Sequence, residues 1–172
     1  MKHENDAIAI ANYFIDKARV DEKGITLLFL VKLVYIAHGY LSALLEHGGF
    51  NPMFDKVEAW KIGPIIPSVY HTFIYNENKP ITEKGVVLNL KKSDTLDNLH
   101  FIAPKVKDED EKNVLDFVWK RYGKCTPTEL VTLTHRDDTP WKCCYEEGKN
   151  NPIPDELIKN YYKLIIEKII KN

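Results

Sequence analysis

"TLLFLVKLVYIAHGYLSALLEH", residues 26 to 47, decides the fold. A transmembrane helix needs about 20 mostly apolar residues. This run is close to that length and apolar nearly all round, so it either crosses a bilayer or the rest of the chain is built around it. Its middle carries Lys32, His38, Gly39 and Ser42. A lysine at mid-bilayer depth costs about 3 kcal/mol or more. The stretch therefore reads as the central helix of a soluble domain, over about residues 26–46, ended by Gly48-Gly49. At about 100° per residue, Lys32, Tyr35, His38, Gly39 and Ser42 share a third of the helical wheel. Such a stripe either grazes solvent, with Lys32 snorkelling, or lines a groove or a partner contact. A glycine in the stripe allows close approach of another backbone.

The bulk numbers fit one domain over residues 1–172. The chain has 172 residues, 44% hydrophobic and 28% charged, with a formal net charge of -1. At that size folding buries about 70% of the unfolded surface, enough for a core without staples. A charge near zero advertises neither nucleic acid nor a solvating acidic tail. The three cysteines, Cys125, Cys143 and Cys144, are odd in number and include an adjacent pair. That is a poor disulfide framework and reads as reduced thiols in a cytoplasmic protein. The opening "MKHENDAIAI" lacks the apolar run and small-residue cleavage site of a signal peptide.

Outward from the central helix, Asn5 to Ala18 shows helical periodicity through Ile8, Ala11, Phe14, Ile15 and Ala18, and Gly24 breaks it. The stretch "EAWKIGPIIPSVYH", 58–71, mixes turn residues with large apolar ones. Val57 to Ile62 reads as a short strand stopped by Gly63-Pro64, and a helix follows from Pro67 to about Asn76, since proline is tolerated at the first helical position. "GVVLNL" (85–90) and "LHFIA" (99–103) read as strands, with "KKSDTLDN" between them. Asp108 with Glu111 starts a helix that runs to Gly123. Thr126-Pro127-Thr128-Glu129 is a fuller start signal, for a helix to about His135. "DDTPW" breaks the chain at 137–141, and Pro154 opens a last amphipathic helix over Asp155 to Ile170. The expected fold is mainly α (α+β): a compact helical domain with a central buried helix and a small β element.

Sites of chemistry are sparse. Cys143-Cys144 lacks the spacing of a zinc pair, and the histidines are scattered. No glycine-rich loop matches a phosphate-binding motif, so no metal or cofactor is expected. Cys143 with His135 and Asp137 is a candidate for a small cysteine hydrolase only if the fold brings them together. Residues 108–136 outline a helix-turn-helix with Lys120, Arg121, Lys124, His135 and Arg136 around it, but "TELVTLTH" offers few side chains able to read base edges.

Five ordered segments carry a resemblance. They are "IANYFIDKA" (10–18), "LVKLVYIAHGYLSAL" (30–44), "FDKVEAWKIGPIIPSVYHTF" (54–73), "VWKRYGKCTPTELVTLTHRDDTPW" (118–141) and "IPDELIKNYY" (153–162). Together they resemble the Panacea domain of SocA-like antitoxins, a family also labelled phage-associated protein. The resemblance implies a non-enzymatic protein that neutralises a cognate toxin, encoded beside it, by direct contact. One branch of the family acts as a proteolytic adaptor that presents its toxin to a protease. Family members often carry a further DNA-binding region for which this chain has no obvious room, so nucleic acid is not an expected partner. The family motif carries over to Lys32, Tyr35, His38, Glu58, Trp60, Gly63, Pro64, Tyr70, His71, Glu129, His135 and Trp141, as positions for partner binding or for holding the domain together. The expected binding surface is the Lys32 stripe with segment 58–71.

Overall fold

The computed structural model describes residues 6–45, 48–51, 54–89 and 100–171. Its axis is α2 (Leu27–Leu44). Around it pack α1 (Asp6–Val20), α3 (Pro67–Phe73), α4 (Glu109–Tyr122), α5 (Pro127–Thr134) and α7 (Asp155–Ile170). By length and composition α2 could cross a membrane, but 83% of it is buried inside the chain's own fold. Neighbouring helices thus supply the apolar surroundings that its sequence demands.

The polar stripe of α2 is turned into the fold, where its Tyr35 lines a cavity. Lys32, Tyr35, His38 and Ser42 are all buried, so the stripe does not graze solvent. It packs inward on β2 and α7. A Cβ at Gly39 would lie 2.2 Å from ring carbons of Tyr162, so the glycine admits an aromatic ring from α7 rather than a backbone. The helix also stops before its expected terminator: Leu45 is already extended (φ −112, ψ 140), and Gly48 follows in the left-handed region (φ 67).

Residues 58–65 form a hairpin rather than a strand and a stop. In it β1 (Glu58–Trp60) pairs antiparallel with β2 (Gly63–Ile65), matching Trp60 to Gly63 and Glu58 to Ile65. Pro64 sits inside a strand because β2 is at the sheet edge, where its missing N–H costs no ladder bond. A third strand, β5 (Asn151–Pro152), pairs with the other side of β1. The helix expected from Pro67 is present as α3, extended by a 3₁₀ turn at Ile74–Asn76. Asp108 caps α4 by accepting from the N–H groups of Asp110 and Glu111.

"DDTPW" does not simply break the chain. The Thr139 hydroxyl accepts from Lys142 N–H, and Pro140 begins the short helix α6 (Pro140–Cys144). The same Thr-Pro start opens α5, where Thr126 and Glu129 complete a capping box.

The second sheet pairs β3 (Val87–Asn89) with β4 (His100–Ile102). The segment "KKSDTLDN" lies outside the described residues. Asn12 on α1, 2% exposed, roots both legs of this hairpin. Its amide accepts from Gly85 N–H at 2.8 Å and donates to the carbonyls of Gly85 (2.9 Å) and Pro104 (3.1 Å).

Candidate functional site

Most of the motif positions converge on one contact network. Lys32 is 0% exposed, and its Nζ donates to the Pro64 carbonyl at 3.0 Å. No carboxylate faces this amine among its described contacts, and burial pushes the ammonium down to about 7. Gly63 stands beside it at φ +100. A Cβ there would lie 2.6 Å from Lys32 Nζ and 2.6 Å from His135 Cε1, so both side chains close on the bare face of the glycine. His135 donates from Nδ1 to the Val131 carbonyl at 2.7 Å and lies 4.0 Å, centroid to centroid, from the Trp141 ring.

Trp141 carries the network into the sheet. Its Nε1–H donates to the Trp60 carbonyl at 2.8 Å, and its ring stacks on Tyr145. Trp60 in turn donates to a Glu58 carboxylate oxygen at 2.7 Å and meets Tyr70 and His71 edge-on. The structure therefore brings together Lys32, Gly63, Pro64, His135, Trp141, Trp60, Glu58, Tyr70 and His71.

Three motif positions lie apart from it. The His38 ring stacks on Phe50 at 3.8 Å. Its Nδ1 accepts from Phe50 N–H at 3.3 Å, so Nε2 carries the proton and donates to Asp155 at 3.1 Å, fastening α2 to the start of α7. Tyr35 packs edge-on against Tyr162. Glu129 is spent on the α5 capping box.

Lys32 is enclosed, so a substrate has no approach to its amine. The network can hold α2, the β1–β2 hairpin, α5 and α6 in one arrangement. Charge burial makes part of this testable. The folded protein sheds the Lys32 proton at about 7, whereas an unfolded lysine holds it to about 10.5. Between those values the unfolded state binds more protons, so the Lys32 contribution to stability rises with pH. Lys32→Met is expected to remove about 1–2 kcal/mol of that rise between about pH 7 and 8.5. Urea denaturation of both proteins at several pH values measures it; parallel stability curves would refute the assignment.

Residues outside the motif also matter. Asp55, 3% exposed, accepts from Ser68 Oγ and from Ala7 N–H at the start of α1. Its acidic type in an apolar neighbourhood was the available signal. Cys143 is exposed, Asp137 pairs with Lys142 at 3.9 Å, and His135 is turned to Val131 and Trp141. No described hydrogen bond joins these three into a catalytic set. Among the described residues no three His, Cys, Asp or Glu side chains gather as a metal site. In the helix-turn-helix outline, α4 and α5 both pack on α2, and α5 leaves Thr128, Glu129 and Thr132 to solvent.

Exposed apolar surface lies elsewhere than expected. With the Lys32 stripe buried, segment 58–71 offers Lys61, Ile62 and His71. The β3–β4 hairpin exposes Val86, Leu88, Phe101 and Ile102, with Phe101 66% exposed. Leu88 and Phe101 are cross-strand partners and so share one face.

Comparison with known proteins adds a second line. Residues 30–142 match a family described as "Antitoxin SocA-like, Panacea domain". Over 164 residues the chain is 35% identical to Antitoxin SocA of Caulobacter vibrioides (strain NA1000 / CB15N), spanning 92% of this chain and 82% of that protein. No solved structure matches.

Proposed function

The chain belongs to the SocA-like Panacea antitoxin family, and from that premise we propose that it neutralises a cognate toxin by direct contact, docking it on the outer face of the β3–β4 hairpin. The observation that carries the docking face is the row Val86, Leu88 and Phe101, exposed on a hairpin anchored to the core through Asn12. Solvent-facing aromatic and aliphatic side chains grouped in this way mark interaction surfaces, and aromatic anchors dominate binding energy at interfaces. The protein acts as a binding module in the cytoplasm, without chemistry of its own, and its toxin is the product of an adjacent gene. The buried motif network serves to hold the docking domain in shape.

The test is co-expression with the neighbouring gene product, followed by affinity measurement on the purified pair. Phe101→Glu and Leu88→Asp are each expected to weaken toxin binding about 30-fold or more, corresponding to about 2 kcal/mol at a central anchor. The melting temperature should stay within a few degrees, since both positions face solvent. Wild-type affinity in both variants would move the docking face elsewhere. A harmless neighbour that forms no complex would sink the antitoxin reading itself. Toxin half-life with and without this protein separates neutralisation by contact from delivery to a protease: a shortened half-life identifies an adaptor.

A further inference from the structure

A cavity of about 170 Å³ opens between α2, α7 and the C-terminal ends of α4 and α5. Its polar wall includes Arg121, Arg136 and four tyrosines, Tyr35, Tyr122, Tyr161 and Tyr162, together with two threonines, and no Asp or Glu lines it. Arg121 donates to the Tyr122 hydroxyl at 3.3 Å. The Arg136 side chain makes no hydrogen bond or ion pair among the described residues, although its carbonyl accepts from Thr139, and neither guanidinium meets a carboxylate among those residues. Asp138, exposed to solvent, acts electrostatically on Tyr161 but is not part of the wall.

The phenols give the independent sign of a ligand. Tyr35 is 2% exposed and Tyr162 5% exposed, yet neither hydroxyl has a hydrogen-bond partner among the described residues. Every fully enclosed polar side-chain atom among those residues does have a partner. These two oxygens therefore retain some exposure, and both residues line the cavity. Burial raises both phenols well above their ordinary range, so at neutral pH they are neutral donors.

We propose that this cavity binds a phosphomonoester, with Arg121 and Arg136 on the phosphate and the Tyr35 and Tyr162 hydroxyls donating to it. Two uncompensated guanidiniums match a group carrying about −1.5 to −2 charges and three acceptor oxygens. A monocarboxylate would leave one of them unpaired. Planar guanidiniums pair with phosphate through two parallel hydrogen bonds. The volume is about that of a cavity that holds benzene, so it takes the phosphate and the first atoms of its ester. The site does not depend on the docking face proposed for the toxin.

Titration of the full chain with phenyl phosphate, inorganic phosphate and benzoate, followed by calorimetry or NMR, tests this assignment. Phenyl phosphate is expected to bind saturably, more tightly than inorganic phosphate and at least about tenfold more tightly than benzoate, by the margin of a charged hydrogen bond. Arg136→Gln, at an exposed position that leaves folding intact, should weaken phenyl phosphate about tenfold or more. Tyr35→Phe, which keeps the ring, should weaken it by about two- to tenfold. No saturable binding at millimolar phenyl phosphate would overturn the proposal. So would unchanged affinity in both variants, or benzoate binding as well as phenyl phosphate. Inorganic phosphate matching phenyl phosphate would replace the ester with a simple anion and equally overturn it.

Discussion

Trp141→Ala is expected to destabilise the protein by about 3–5 kcal/mol, the range for deleting a buried tryptophan side chain. Trp141 is 6% exposed and links separate pieces of chain. Its indole N–H donates to the Trp60 carbonyl, and its ring meets His135 and stacks on Tyr145. Truncation empties the space between α6 and the sheet and leaves a part-buried carbonyl without its donor, two costs that add. A domain of this size has a total stability of about 5–15 kcal/mol, so a large share is lost. The melting temperature should fall by about 6–20 °C. Trp141→Phe keeps most of the packing and loses the indole N–H, so it should fall between wild type and Ala. Urea denaturation of the three proteins measures the order. An Ala variant within about 1 kcal/mol of wild type would show that the network is not where stability resides.

Gly63→Ala should cost nearly as much through a different cause. At φ +100 any side chain strains the backbone, by about 1–3 kcal/mol. The new methyl would also press on Lys32 Nζ and His135 Cε1 at 2.6 Å, and overpacking adds about 1–3 kcal/mol more. A combined loss of about 2–6 kcal/mol follows. The double variant with Lys32→Met separates the two contributions, because a flexible thioether can move away where the hydrogen-bonded amine holds its place. The cycle should show coupling of about 0.5–3 kcal/mol. If the two single losses simply add, the crowding at Lys32 is absent and the loss comes from the backbone strain and the contact with His135.

The helices were legible because their signals are local. Thr126-Pro127-Thr128-Glu129, Asp108 and Pro67 announce α5, α4 and α3 through groups within four residues of each start. The apolar run of α2 likewise dictates burial by itself. What the sequence concealed depends on partners distant along the chain. The stripe from Lys32 to Ser42 looks polar on a wheel, and only the positions of the Pro64 carbonyl and the Tyr162 ring show that it faces inward. β5 is two residues long and contains a proline, so no periodicity marks it; it exists because β1 offers a free edge. Gly63-Pro64 resembles a stop signal, and the edge position that lets it be a strand is a property of the sheet. The Thr139-Pro140 start of α6 was readable in principle, since it repeats the device at Thr126-Pro127. Arg136 and Tyr162 lie inside the resembling segments but not among the motif positions carried over, so nothing in the sequence joined them.

The placement of α2 has a consequence for how the protein is made. The helix that covers it most extensively is α7, at the far end of the chain. During synthesis about 110 residues separate the completion of α2 from the start of α7, which at about 5–20 residues per second means roughly 5–20 s on the ribosome. Through that interval the most apolar segment of the chain is on offer to chaperones, proteases and other nascent chains. The covering of α2 is completed only when α7 closes over it.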